Sequence, residues 1–66
     1  MNGILRKALI KKYEGDLASA EANIRVYLNN PVGIGEHPDI VGAIDEQIEK
    51  AANAQEKLDY ILNLTY

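Results

Sequence analysis

The sequence predicts an all-α fold, in which two long helices fold back on each other as an antiparallel, coiled-coil-like hairpin. Three observations predict it. Apolar residues recur at alternating steps of three and four along two segments. A stretch rich in Gly and Pro separates those segments. The two segments are also nearly equal in length, as a hairpin requires.

The first helix is expected over residues 4–29. Its stripe is Ile10, Tyr13, Leu17, Ala20, Ile24 and Tyr27, with Leu5, Leu9 and Leu28 widening it. Asn29-Asn30-Pro31 ends it, because Pro lacks an N–H and restricts the residue before it. The linker, residues 30–37, holds Gly33 and Gly35, which permit the positive φ of a reversal. Val32 and Ile34 are expected to plug the open end of the hairpin.

The second helix is expected over residues 38–64. Pro38 suits a first helical position, where its missing N–H costs nothing, and His37 stands where the N-cap would be. Glu36, Asp39, Asp45 and Glu46 put negative charge at the positive end of the helix dipole. The stripe is Val41, Ile44, Ile48, Ala51, Gln55, Leu58 and Leu62. Ile40, Gln47, Ala54 and Ile61 form a second row beside it. Each helix would span about 26 residues, or roughly 39 Å at 1.5 Å per residue. Folding at the linker pairs Ile24 with Ile44, Ala20 with Ile48, Leu17 with Ala51 and Ile10 with Leu58, and sets Gln55 opposite the Tyr13 hydroxyl.

Sixty-six residues make one small domain. With no Cys, neither a disulfide nor a thiolate metal site can staple it. Much of the apolar content is Ala, so a lone hairpin has little core material. Gly15, Ala18, Ala22 and Val26 form a small-residue row that another helix can approach closely; alternatively, Ala simply favours helix. Two hairpins assembling into a four-helix-bundle homodimer is the simplest way to cover the apolar rows.

Charge excludes some roles. The net charge is −3, whereas a free-standing nucleic-acid binder is normally basic. Four of the seven cationic side chains, Arg6, Lys7, Lys11 and Lys12, gather in the first dozen residues. The favoured reading sets Lys11 and Lys12 against Glu56 and Asp59 and the negative end of the second helix. A short membrane-surface helix and a phosphate contact are the alternatives. No apolar run is as long as a membrane span, and residues 1–7 lack the apolar core of a signal peptide. The expected location is therefore cytoplasmic.

No constellation carries chemistry. Glu36-His37-Pro38-Asp39 surrounds one His with carboxylates, but a metal needs three or four convergent ligands. Gly33-Ile34-Gly35 lacks the Lys and preceding strand of a phosphate loop, and nearby acids would repel phosphate. Asn63-Leu64-Thr65 matches a glycosylation sequon by chance. No catalytic residue, cofactor or metal ligand is assigned. Tyr60 and Tyr66 lie off the stripe, where a Tyr can anchor a partner.

The segment Asn29-Asn30-Pro31-Val32-Gly33-Ile34-Gly35-Glu36-His37-Pro38-Asp39-Ile40 resembles one found in small helical proteins of tailed-phage and marine viral genomes. The resemblance implies a viral origin, and with it a host-cytoplasmic location, but no activity. The expected role is a non-enzymatic accessory protein that binds another protein through acidic residues, Asp45, Glu46, Glu49, Glu56 and Asp59. A virion or scaffold component is the alternative, and a nucleic-acid accessory protein using the basic N-terminal turns is the second.

Overall fold

The computed structural model describes residues 3–30 and 39–64. They form two helices, α1 (Gly3–Asn29) and α2 (Ile40–Asn63). The helices pack along each other as a hairpin 47 × 16 × 15 Å in extent. The expected plug by Val32 or Ile34 falls outside the described residues.

Local chemistry sets the ends. The Asn30 amide still donates to the Val26 carbonyl at 2.8 Å; Pro31, with no N–H, can give no further bond. At the start of α2 the cap is Asp39 and the first helical residue is Ile40; the expected roles of His37 and Pro38 lie outside the described residues. The Asp39 carboxylate accepts from the Gly42 amide at 2.9 Å, satisfying one of the four amides that a helix start leaves without a partner. Gly42 makes room for this bond, since a Cβ there would collide with the Asp39 carboxylate.

At the other end of α2, the Leu64 amide donates to the Ile61 carbonyl at 3.3 Å. Arg6 of α1 donates to the carbonyls of Ile61, at 3.0 Å, and Leu62, at 3.2 Å. A cation thus binds two carbonyls in the last turn, at the negative end of the dipole. This contact sets the antiparallel register, placing Arg6 at about the height of Ile61 in the last turn of α2.

From Arg6 the seam on α1 continues through Ile10, Tyr13, Leu17, Ala20, Ile24 and Tyr27. Ala20 is buried and the others are half-buried. On α2 the seam differs from the expected stripe. It follows Ile40, Ile44, Gln47, Ala51, Ala54, Leu58 and Ile61, with Gln47, Ala54 and Ile61 buried. Val41, Ile48 and Leu62, expected in the core, are 80%, 49% and 52% exposed.

Size complementarity explains the shift. At this register Tyr13 is level with Ala54, and Ala20 with Gln47. Tyr against Ala keeps the helices close, whereas Tyr against a longer side chain would push them apart. Gln47 is tolerated in the seam because the Asn23 amide donates to its Oε1 at 3.1 Å.

Candidate interaction surface

A seam between two helices divides the hairpin into two broad faces. One is polar. It holds Asp16, Ser19 and Asn23 of α1 beside Lys50, Asn53 and Lys57 of α2, around a shallow groove. The Lys57 ammonium lies 5.8 Å from the centre of the Tyr13 ring, a cation–π contact across the seam. Tyr13 therefore meets Lys57 and not Gln55, whose side chain instead donates to Asp59 at 3.0 Å.

The opposite face is apolar on its α2 half. Val41, Ile48, Gln55 and Leu62 recur every seven residues, one position beyond the seam row Ile40, Gln47, Ala54 and Ile61. All four are exposed. They flank half-buried Ile44, Ala51 and Leu58, so one helix carries two apolar rows that share a middle row. A helix with one neighbour needs one such row; a helix with two neighbours needs both.

Next to this row, toward the outside, stand Asp45, Ala52 and Asp59. The same positions on α1 hold Lys11, Ala18 and Arg25, beyond a row of Lys7, Glu14, Glu21 and Leu28. All of these side chains are exposed. The expected facing of Lys11 and Lys12 onto Glu56 and Asp59 within one chain does not occur. Lys12 pairs with Asp16 on its own helix at 2.8 Å. This hydrogen bond, followed by the Asp16 charge, raises the Lys12 pKa above its ordinary value. The cation that reaches the end of α2 is Arg6.

Of the candidate partner residues, Glu49 and Glu56 lie on the outer side of α2 and Glu46 at the edge of the polar face beside Lys50; all are exposed, as are Asp45 and Asp59. Glu46 has a loose pair with Lys50 at 3.8 Å. Gly15, Ala18, Ala22 and Val26 on α1 are also exposed. Tyr60 is exposed and Tyr66 is not among the described residues.

Sequence reasoning missed Arg6 as a cap and Gln47 as a seam residue. A signal for the first was available: a lone guanidinium one turn into α1, at the height where an antiparallel α2 must end. Gln47 gave none, because its tolerance depends on Asn23 lying within reach. Among the described residues no group of three or more His, Cys, Asp or Glu could hold a metal, and no helix is long and apolar enough to cross a membrane. Comparison with protein-family models, curated proteins and solved structures gives no significant match to this chain.

Proposed function

We propose that this chain is a non-enzymatic helical accessory protein whose work is to bind other protein. The observation that carries the reading is the second apolar row of α2, exposed beside an acidic outer edge. An exposed apolar row rimmed by charge is the usual mark of a docking surface. The total accessible surface is 5036 Å², whereas a compact monomer of 7.3 kDa would expose about 4,200 Å². The hairpin thus presents surface in excess of its mass, as a component of an assembly does.

In this reading the apolar row provides assembly, and Glu46, Glu49 and Glu56 face a basic patch on a different protein. Such a contact would weaken as salt is added. A phage source, implied by the linker resemblance, fits a small protein that acts on host machinery.

A photoreactive residue placed at Glu56 tests the reading in the cell that makes the protein. The expected product is an adduct with a different, Lys- and Arg-rich protein. Adducts with itself or with virion proteins alone would favour the structural role. Adducts with nucleic acid would favour the role built on the basic N-terminal turns.

A further inference from the structure

We infer that a second copy of this chain covers the apolar face, related by a two-fold axis parallel to the helices, so that α2 of each copy lies on α1 of the other. This rests on the protein-binding reading and names the first partner. The polar face is the poorer place for it, since Asn23 bonds Gln47 and Lys57 lies over Tyr13 there, and its apolar groove between Tyr13, Tyr60, Ile61 and Leu64 covers only the C-terminal end of α2. The apolar face is large enough. The whole broad side, 47 by 16 Å, offers about 750 Å² in projection, its α2 half apolar and its α1 half charged, close to the roughly 800 Å² per partner of a standard stable interface.

The axis follows from charge. A two-fold parallel to the helices leaves every residue at its own height. The register between copies is therefore inherited from the hairpin and cannot slide. With Arg6 level with Ile61, Asp45 comes within about 4.5 Å along the axis of Arg25 in the second copy, and Asp59 equally close to Lys11, at 1.5 Å per residue. Side chains lean toward their own helix N-terminus, which in antiparallel neighbours narrows that offset. Between these pairs Ala52 meets Ala18, small against small, and further in Val41 meets Leu28. Symmetry repeats each contact, giving four opposite-charge pairs around the rim.

The alternative two-fold, perpendicular to the helices and centred on the face, lays α2 on α2. It stands Asp45 against Asp59 of the other copy, twice, and Arg25 against Lys7. Like charges in apposition disfavour that arrangement. Two acids do enter the favoured interface. Glu14 comes within about 3 Å along the axis of Gln55, which can donate to it. Glu21 comes within about 3 Å along the axis of Ile48, where its stem packs and its head swings toward Arg25, one turn along its own helix. Asp45 and Asp59 are used in assembly, and Glu46, Glu49 and Glu56 stay on the outside.

Charge exchange tests this. Two variants are made, K11D/R25D and D45K/D59K. All four positions are exposed and outside the seam, so each variant should keep its helical circular dichroism. Wild type should be a dimer by light scattering. Each variant alone should dissociate, with its dimer Kd raised about tenfold or more. An equimolar mixture should regain the dimer, because each mixed interface again sets acid against base. Variants that stay dimeric, or a mixture that fails to recover, would overturn the proposed axis. A wild type monomeric at all concentrations would overturn the second copy as occupant. The photochemical adduct at position 56 reports on the accessory role separately, since a dimer leaves Glu56 free and a monomer does too.

Discussion

Asn23 and Gln47 meet across the seam, the Asn23 amide donating to the Gln47 Oε1 at 3.1 Å. Gln47 is the one buried polar residue of the described chain. Replacing Asn23 by Ala leaves that oxygen without its protein partner, and the expected cost is about 1 kcal/mol in urea unfolding. Replacing Gln47 by Leu should be neutral or mildly stabilising. It should also loosen the choice of register, which a polar seam residue helps to fix. A loss of several kcal/mol in Gln47→Leu would contradict this assignment.

Ile61 and Leu62 are neighbours in sequence with opposite surroundings. Ile61 is 5% exposed and Leu62 is 52% exposed. Ile61→Ala should cost about 2 kcal/mol or more. Leu62→Ala should cost under about 0.5 kcal/mol at protein concentrations where the chain is monomeric. Equal losses would place the seam on the expected stripe.

These two residues also show how much of the fold the sequence disclosed. Two helices and their packing follow from heptad spacing and one turn-rich gap. The seam of α1 is also readable, because its stripe runs beside polar neighbours such as Asp16 and Asn23. On α2 two rows compete. Val41, Ile48 and Leu62 are more apolar than Gln47 and Ala54, so hydropathy alone selects the wrong row. The choice depends on what stands opposite, Tyr13 and Ala20, and that is a property of the pair of helices. Arg6 was legible as charge, but its target, the backbone carbonyls at the end of α2, has no side-chain signature. The apolar surface was legible as an excess of apolar rows over neighbours, though its position became clear only once the seam was placed.

Arg6 holds the last turn of α2 through two carbonyls. Arg6→Ala should fray that turn at a cost of about 0.5–1 kcal/mol, visible as faster amide exchange at Leu64. Both bonds come from the one Nη2 amino group, so Arg6→Lys should recover part of the loss, limited by a side chain one bond shorter in reach.

Asp39 and Gly42 act together at the start of α2. Asp39→Ala should cost about 1 kcal/mol by removing the cap. Gly42→Ala would ordinarily gain about 1 kcal/mol in helix propensity. Here the new Cβ displaces the Asp39 carboxylate, so the gain should largely vanish. In an Asp39→Ala background it should return, a non-additivity that thermal unfolding of the four variants would reveal.

Lys12 carries a raised pKa through its bond to Asp16, starting from an ordinary value of 10.5. A raised pKa stabilises the fold below 10.5, and the contribution disappears as pH climbs past the raised value. Stability near neutral pH should therefore be indifferent to small pH changes at this pair. In Asp16→Asn the Lys12 ammonium should titrate lower, followed by NMR of the side-chain nitrogen.

If a second copy covers Val41, Ile48 and Leu62, which the seam leaves exposed, a charge placed in that row should break the dimer and spare the hairpin. Light scattering on wild type and Ile48→Lys, each over a concentration series, tests it most directly. Wild type should have a mass of twice 7.3 kDa, and the variant 7.3 kDa with helical content retained. A wild type that stays at 7.3 kDa throughout, or a variant that unfolds because Ile48 supports the hairpin itself, would contradict it.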